Sequence, residues 1–495
     1  MTIITLLLYI GLVAVLVTLL MTQLFKVHRS LFMTFLQNFT GILFLFSGWV
    51  KAVDPMGTAF KMEDYFVEFN AAFTDSPFSF LAPVFPFFSR YSLVFAICMI
   101  IFEIVLGIML IIGDRKKLTS WLFFLLVIFF TVLTGYTFLT GYVPIDSTFF
   151  KFSTWGEYKA TNMRVTDCGC FGDFIKLDPR ISFFKDLFLL LPALYFLFRW
   201  KDMHQLFSLS SRNMIIISST LFLILYNVYN FHWNEPHVDF RPFKNGANIA
   251  EIKKTEINAA NAVQVIALKM KNKKTGEIKN FAFADYMKNL SSISEDWETI
   301  EQIKTEPLIK ETKISHFEIT DFSNNDKTDL FLDDPKPRLM VPIYKPLYEA
   351  IPGVRVVNDS IFVYDTISVP TFKDSFNIVK SLKEVLKRDE TYYDIIWDKD
   401  FINILKDVIK PLKDAAAKDK VPMTVVVSGI DAAKAQLLAI ESGLDAEYLT
   451  ADEKLLKTIM RSNPGIVLWK NGILVQKWHY KKLPTWEQIK NDFLK

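Results

Sequence analysis

Two cysteines stand one residue apart in the segment Asp167-Cys168-Gly169-Cys170. A disulfide between them would close a small, strained ring, and strained disulfides are more easily reduced, so this spacing favours thiol exchange. The intervening glycine relaxes what such a ring demands of the backbone. A passive loop disulfide is the alternative interpretation, and zinc binding is another, although no further ligands stand at metal-binding spacing. We predict Cys168 and Cys170 as catalytic residues and no metal site.

The rest of the composition narrows the class of protein. The chain of 495 residues has three cysteines, too few for the disulfide framework of a small secreted domain. The third, Cys98, lies in an apolar run and is predicted to be an inert core thiol. A formal net charge of +3 is too small to indicate nucleic-acid binding.

Six apolar stretches in the first 231 residues are each long enough to cross a hydrocarbon core about 30 Å thick. They are predicted at Ile3–Phe25, Leu31–Val50, Tyr91–Ile112, Leu118–Thr140, Phe183–Trp200 and Met214–Phe231. The first is predicted to be a retained helix, because its charges follow the apolar core and no cleavage site comes after it. The chain is thus predicted to be a polytopic membrane protein embedded in a lipid bilayer.

Basic residues indicate which loops face the cytoplasm. They cluster after the first span, between the third and fourth, and between the fifth and sixth, at Lys26, Arg29, Arg115, Lys116, Lys117, Arg199, Lys201 and Arg212. The positive-inside rule makes these three loops cytoplasmic. The N-terminus, the loops Lys51–Arg90 and Gly141–Ser182, and everything after Phe231 are then predicted to be periplasmic, with the spans in a bacterial inner membrane. The cysteine pair would face an oxidising compartment.

Polar residues within or beside the spans are the next candidates. Glu103 stands near the middle of the third span, where a carboxylate is a functional candidate by default unless it binds Lys51 to fix the bundle. Lys51 and Asp54 fall at the outer interface, where a lysine snorkels and an aspartate caps a helix or pairs. Gly41 and Gly48 share one helix face and predict a closely packed neighbouring helix.

The outer loop Lys51–Arg90 mixes aromatic with charged residues. Phe60, Tyr65, Phe66 and Phe69 alternate with acidic and basic residues, a pattern typical of a helix lying in the membrane interface. A second, irregular piece rich in Phe and Pro follows and is predicted to dip into the headgroups. Membrane anchoring accounts for this loop as well as a substrate site does.

Three motifs together resemble the DoxX/MauE family of membrane proteins. They are Gly41-x6-Gly48-x2-Lys51-x2-Asp54-Pro55, Glu103-x3-Gly107 and the Cys168–Asp173 loop, read CGCFGD. The resemblance covers residues 31–200 and implies a four-helix bundle, to which 1–30 and 213–231 add one helix each. The MauE branch implies disulfide formation or maturation of periplasmic proteins. DoxX relatives imply thiol-redox partners and a quinone as the candidate cofactor.

The residues after the sixth span predict a soluble domain in two parts. A connecting region, 232–337, carries strand-like runs at Val263–Met270 and Ile314–Ile319, with a hairpin turn at Lys271–Lys279. From Arg338, strands and helices alternate as in a sheet covered by crossover helices. Strands are predicted at Leu339–Tyr344, Met423–Ser428, Ala446–Thr450, Gly465–Lys470 and Ile473–Trp478, and helices at Phe401–Lys418, Asp431–Ser442, Asp452–Met460 and Thr485–Leu494. Asn471-Gly472 is a strong hairpin signal.

The segment Ser462–Trp478 looks like the C-terminal half of a thioredoxin fold. The resemblance implies an α/β thioredoxin-like domain over 338–495, an insertion at 345–397, and a cis peptide bond before Pro464. Asn463 and Pro464 would form an exposed loop that docks an extended segment. No cysteine follows Cys170, so this domain lacks the C-x-x-C motif and is predicted to be redox-inactive.

Two functional hypotheses follow from these features. In the first, the cysteine loop performs thiol exchange in the periplasm, which makes the chain thiol-disulfide oxidoreductase-like, and the outer domain docks a protein substrate. In the second, the chain is a non-enzymatic membrane scaffold or assembly subunit of a larger envelope complex, and the cysteines brace a loop. Both imply a periplasmic or membrane protein partner. Transport is a weaker third hypothesis, because Glu103 alone is charged within the span interiors.

Overall fold

A computed structural model describes residues 2–26, 29–165, 169–368 and 376–494, so Cys168 lies outside the described residues. Within them, six helices are long and apolar enough to cross a membrane, which confirms the predicted spans. The six are α1 (Ile3–Gln23), α2 (Leu31–Val53), α5 (Ser92–Ile112), α6 (Lys116–Leu139), α7 (Pro179–Arg199) and α8 (Leu209–Trp233). Between α2 and α5 lie α3 (Pro55–Thr74) and α4 (Val84–Arg90).

Local sequence explains where these helices begin and end. The Ser30 hydroxyl accepts a hydrogen bond from the Met33 N–H at the start of α2. Helix α7 begins four residues earlier than predicted, because Asp178 caps it and Pro179 suits its first position. Gly113 ends α5 in the left-handed conformation, with φ of +66°.

Glycines allow a close contact between two helices of the bundle. A Cβ added to Gly41 would lie 2.9 Å from the Gly107 carbonyl oxygen of α5, and one added to Gly48 would lie 2.4 Å from Ile104 Cγ1. Only a hydrogen fits at either position, so α2 and α5 approach through their glycine faces. The predicted role of Gly41 and Gly48 in helix packing is confirmed.

The predicted interface helix in the loop Lys51–Arg90 is α3, but protein covers its aromatic side. Tyr65 and Phe66 are 2% and 7% exposed, and Phe66 packs with Met62 against Ala96 of α5. The opposite side of α3 meets the soluble domain through Phe60 and Glu63, as described below. Protein thus covers α3 on two sides, α5 on the aromatic side and the domain on the other, and its position in the membrane interface stays a prediction.

A sheet-rich region follows α8, and its main sheet has six strands in the order β1-β11-β10-β5-β8-β9. Strands β5, β8 and β9 are parallel, and β10 and β11 are antiparallel to their neighbours. The bounds are β1 (Ala247–Asn248), β5 (Arg338–Ile343), β8 (Met423–Val427), β9 (Glu447–Thr450), β10 (Gly465–Lys470) and β11 (Ile473–His479). Each strand predicted after Arg338 is confirmed, with ends that differ by at most one residue.

Helices cover both faces of this sheet. They are α9 (Ile249–Asn261), α12 (Asp329–Leu332), α13 (Lys399–Ile404), α14 (Lys410–Lys418), α15 (Ala432–Ser442), α16 (Glu453–Ile459) and α17 (Trp486–Phe493). The helix predicted over Phe401–Lys418 is interrupted by a π-helical turn at Leu405–Ile409. Pro411 follows that turn and lacks the N–H that a continuous α-helix needs.

The sheet separates two apolar layers because its central strands alternate. Leu339 and Val341 of β5 point into one layer, with α13, α15 and α17, and Met340 points into the other. The predicted strand Ile314–Ile319 is wrong. The segment turns, with the Phe317 N–H donating to the Ile314 carbonyl oxygen, and its apolar side chains insert into the second layer.

Two further β-structures project from the domain. The connecting region forms a three-stranded sheet of β2 (Val265–Asn272), β3 (Ile278–Ala282) and β4 (Trp297–Lys304), with short helices α10 (Phe283–Lys288) and α11 (Leu290–Asp296). The insertion 345–397 forms a long two-stranded ribbon, β6 (Tyr348–Ser368) paired with β7 (Phe376–Trp397). The predicted turns at Gly276 and at Asn471-Gly472 are confirmed, all three residues having positive φ.

Candidate functional site

A cavity lies inside the helix bundle, in the half nearer the soluble domain, in a region with about 830 Å³ of space between atoms when the part open to solvent is counted. Its apolar walls come from α2, α3, α5, α6 and α7 and from the loop before α7. The polar lining consists of Ser47, Lys51, Thr58, Lys61, Tyr65, Glu103, Thr134, Cys170, Lys185 and Asp186. Most of these side chains belong to helices, which hold them more precisely than loops do.

The first buried ion pair in the cavity joins Lys51 to Glu103. Their Nζ and Oε2 atoms are 2.6 Å apart, and the two residues are 6% and 3% exposed. The Lys51 ammonium also lies 5.4 Å from the centre of the Phe130 ring. The predicted pairing of Glu103 with Lys51 is confirmed. The prediction that Lys51 snorkels toward the headgroups is wrong, because its side chain points inward to this carboxylate.

The second ion pair comes from α7. Lys185 binds the adjacent carboxylate of Asp186, and Asp186 also accepts a hydrogen bond from the Thr134 hydroxyl at 3.0 Å. Neither residue is among the site residues predicted from the sequence. Two charges beside the start of an apolar span were the available signal, because charged residues in spans face the bundle interior.

Cys170 lines the same cavity from the loop before α7. The Ser47 hydroxyl of α2 donates to the Cys170 carbonyl oxygen at 2.7 Å, which fixes the loop against the bundle. Burial raises the pKa of the Cys170 thiol, although the Lys185 ammonium acts to lower it. A free thiol here is therefore protonated at neutral pH. The predicted partner Cys168 lies outside the described residues, so exchange between the two stays a prediction.

Cys98 was predicted to be a core thiol, but its side chain is exposed on α5, so that prediction is wrong. Helix periodicity places it on the side opposite the buried residues Ala96 and Ile100. Across the described ranges, no three His, Cys, Asp or Glu side chains are grouped as metal ligands.

A second space, about 1230 Å³, lies between the bundle and the soluble domain, and we call it the basic cleft. Thr58, Lys61 and Gly169 line both this cleft and the bundle cavity, so they lie between the two spaces. Seven basic side chains and three carboxylates line it, namely Lys61, Arg164, Lys176, Lys313, Lys454, Lys457 and Arg461 with Asp54, Asp64 and Asp173. Cys170 lines the bundle cavity, and the adjacent Gly169 lines the cleft as well.

Arg461 of the soluble domain holds the two halves together at this cleft. Its Nη2 atom lies 2.7 Å from Asp54 Oδ2 and 2.9 Å from Asp173 Oδ2, and its Nε also binds Asp54. Burial acts to raise the pKa of Asp54, but the Arg461 guanidinium outweighs it and the pKa is lowered. Asp54 also caps α3 by accepting from the Gly57 N–H. Its predicted capping and pairing are confirmed.

Further contacts reinforce the same junction. The Glu63 carboxylate of α3 binds Lys457 at 3.1 Å and Lys345 at 3.4 Å. The Phe60 ring receives the Lys457 ammonium at 4.6 Å from its centre and packs edge-on against Tyr344. One face of α3 thus forms the contact surface for the soluble domain.

The loop at Pro464 is covered by the chain itself. The Asn463–Pro464 peptide bond is cis, as the thioredoxin resemblance implies. Pro464 is buried, however, and the N–H groups of Arg461 and Ser462 donate to Glu235, just after α8, at 3.1 and 3.0 Å. The prediction of an exposed docking loop at Asn463 and Pro464 is wrong, because the segment after α8 folds back and occupies the preceding backbone donors.

A charged cluster supports that returning segment. Arg241 is buried between Glu235 and Asp239, each at 2.8 Å, and Lys477 of β11 binds Asp239 at 2.5 Å. Burial acts to raise the pKa of Asp239, but its cationic partners lower it to about 2. The cluster ties the end of the last span to the central sheet.

Comparison with protein-family models, curated proteins and solved structures gives no match for this chain. The resemblances to DoxX/MauE and to thioredoxin therefore stay predictions. The candidate site is defined by its own geometry, a thiol and two ion pairs that line one cavity in the bundle.

Proposed function

We propose that this chain is a membrane-embedded thiol–disulfide exchange protein that acts in the maturation of proteins outside the cytoplasm. One observation carries the proposal: Cys170 lines an internal cavity rather than bracing an exposed loop. A cysteine that served only as a staple would need neither a cavity nor two buried ion pairs beside it.

The exchange step starts from a disulfide between Cys168 and Cys170. A substrate thiolate attacks the Cys168 sulfur, the S–S bond breaks, and Cys170 leaves and takes up a proton. A second substrate thiol then attacks the mixed disulfide and releases Cys168. The substrate loses two electrons and two protons, and the cysteine pair gains them. Because burial raises the pKa of Cys170, its sulfur leaves more slowly than that of an ordinary thiol and takes up a proton once released.

Reoxidation of the pair requires an electron acceptor, and the DoxX resemblance implies a quinone. The cavity suits that class because its walls are largely apolar and the Lys51 and Lys185 ammonium groups offer hydrogen-bond donors. A bound quinone would supply the capacity to take two electrons and two protons. The role of this chain is to place Cys170 in that cavity, beside the Lys51–Glu103 ion pair.

The proposed location in the cell rests on the distribution of basic loops. The basic loops favour a bacterial inner membrane with the N-terminus and the soluble domain in the periplasm. The soluble domain, proposed to be thioredoxin-like and without cysteines of its own, would cover the cleft and recruit the protein substrate. Its contacts through Arg461 and Lys457 support a position directly above the cysteine loop.

Trapping tests the proposal. A Cys170→Ser variant should accumulate mixed disulfides through Cys168, seen as adducts on non-reducing gels that dithiothreitol removes. A Cys98→Ser variant retains the pair and serves as the matched control without adducts. Absence of adducts, together with a native pair that stays oxidised under all growth conditions, would exclude exchange.

A membrane scaffold or assembly subunit is the second candidate. The observation that favours it is the buried Pro464 loop, whose neighbouring donors already bind Glu235. In that case a Cys168→Ser/Cys170→Ser variant would retain full function, and a stable partner would co-purify with it in detergent.

A further inference from the structure

The last span carries a row of exposed apolar and aromatic side chains that the proposed function does not use. Four of them stand at four-residue intervals and are each more than half exposed, namely Ile217, Leu221, Leu225 and Tyr229. Side chains four residues apart are neighbours on a helix, so these four form one row that faces away from the bundle. On a helix long and apolar enough to cross a membrane, such a row faces lipid. It ends at Tyr229, one turn before α8 ends at Trp233.

Two lysines of the soluble domain reach this end of the row. They are Lys481 and Lys482, which lie between β11 and α17. The Lys482 ammonium donates to the Tyr229 hydroxyl at 3.0 Å and lies 4.9 Å from the centre of its ring. The Lys481 ammonium lies 2.6 Å from His232 Nε2 and 5.9 Å from the centre of the Trp233 ring. We call these five residues the interface cluster.

The positive charge of the interface cluster has no direct counter-charge. Among the described residues, neither Lys481 nor Lys482 forms an ion pair, since their hydrogen-bond partners are an imidazole, a phenol and the amide of Asn234. Glu235, the next carboxylate along the chain, is already bound by Arg241 and by backbone N–H groups of the soluble domain. Both lysine side chains are exposed, so their ammonium groups are accessible to an anion from outside the chain.

The position of the interface cluster indicates which anion it meets. Tyrosine and tryptophan at the end of an apolar span lie at the level of the lipid headgroups, where lysines place their charged ends. Basic side chains at this level attract anionic lipids. A phospholipid uses the whole arrangement, because its phosphate can accept from both ammonium groups while an acyl chain lies along the apolar row of α8. A free phosphate ion uses only the lysines.

We propose that the interface cluster binds one anionic phospholipid. The headgroup phosphate bridges Lys481 and Lys482, and one acyl chain packs along the row from Tyr229 toward Ile217. Because the lysines belong to the soluble domain and the row belongs to the last span, the bound lipid joins the two halves of the chain. This contact involves neither Arg461 nor the cysteines.

Photoaffinity labelling tests the site on the full chain in nanodiscs of phosphatidylcholine. Two probes share one photoreactive acyl chain and carry either a phosphatidylglycerol or a phosphatidylcholine headgroup. Peptide mapping should find about tenfold more label from the phosphatidylglycerol probe in residues 225–233. Equal labelling by the two probes would overturn the proposal and would leave the lysines as caps for the negative end of α8.

A change of buffer distinguishes a lipid from a free ion. The excess of phosphatidylglycerol label should be the same in phosphate buffer and in chloride of equal ionic strength. Loss of the excess in phosphate buffer alone would assign the lysines to inorganic phosphate and contradict the lipid site.

Paired lysine variants assign the headgroup contact. Lys481→Gln/Lys482→Gln should abolish the excess of phosphatidylglycerol label, and Lys481→Arg/Lys482→Arg should retain it. Lys273→Gln/Lys274→Gln is the matched control, because it removes two adjacent exposed charges from the β2–β3 turn and should leave the excess unchanged. If the Lys481→Gln/Lys482→Gln variant is labelled like this control, the proposal fails.

Discussion

The bundle cavity and the domain junction both bury charged residues, but they arrange them differently. In the cavity, Lys51 meets one carboxylate, Glu103, beside open space. At the junction, Arg461 binds two carboxylates at once and closes the contact between the halves. Buried ion pairs seldom add net stability, because desolvation offsets their attraction. The junction charges therefore serve to fix one docking geometry, and the cavity charges are retained beside space that a ligand can enter.

Breaking the junction should have the largest effect. Arg461→Met removes the cation that Asp54 and Asp173 share and leaves Asp54, whose side chain is 13% exposed, without its direct partner, so it should destabilise the docked state by about 3 kcal/mol or more. Hydrogen exchange should then rise along α3 while β8 stays protected. Arg355→Met, which removes an exposed pair with Glu390 on the ribbon, is the control and should cost less than about 1 kcal/mol. Unchanged exchange along α3 would show that Arg461 does not hold the domain.

Breaking the cavity pair should cost somewhat less, because only one carboxylate loses its partner. Lys51→Met leaves Glu103 unpaired and should lower the free energy of unfolding in detergent by about 3 kcal/mol. The double variant Lys51→Met/Glu103→Leu should recover most of that loss. If the double variant is as unstable as the single one, the pair is a structural requirement rather than a feature retained for the cavity.

The close contact between α2 and α5 beneath the cavity should also contribute to the stability of the bundle. A Cβ on Gly107 would lie 2.8 Å from the Gly41 carbonyl oxygen, so Gly107→Ala should force α2 and α5 apart and cost about 1–3 kcal/mol. Gly156→Ala is the matched control, because nothing lies within 4 Å of its added Cβ. Thermal unfolding in detergent measures both. Equal melting temperatures of the two variants would mean that the close glycine contact does not determine the stability of the bundle.

The smallest effect concerns pH at the junction. Burial lowers the pKa of His479 to about 4, and its neutral ring accepts a hydrogen bond from the Lys481 N–H. The unfolded state binds the proton near pH 6.5 and the folded state near pH 4, so stability falls as pH falls through this window. Acidification from pH 7 to 5.5 should cost about 1 kcal/mol, and His479→Asn should remove that slope in pH-dependent melts. An unchanged slope in the variant would assign the acid sensitivity elsewhere.

Sequence patterns predicted the elements better than the site. The spans and the Asn471-Gly472 hairpin follow from local signals, namely apolar length and turn chemistry. Glu103 was visible as a charge within a span. Arg461 was not, because it meets Asp54 across 407 residues of sequence and an isolated arginine before a turn carries no local signature. Ile314–Ile319 was mistaken for a strand because its apolar residues satisfy the core without pairing.

The redox state of Cys168 and Cys170 in living cells tests the central claim most directly. Acid quenching followed by differential alkylation and mass spectrometry reports the oxidised fraction of the pair. The proposed exchange predicts that both forms are populated and that the reduced form increases when the supply of electron acceptor is blocked. A pair that is fully oxidised, or fully reduced, under both conditions would contradict it.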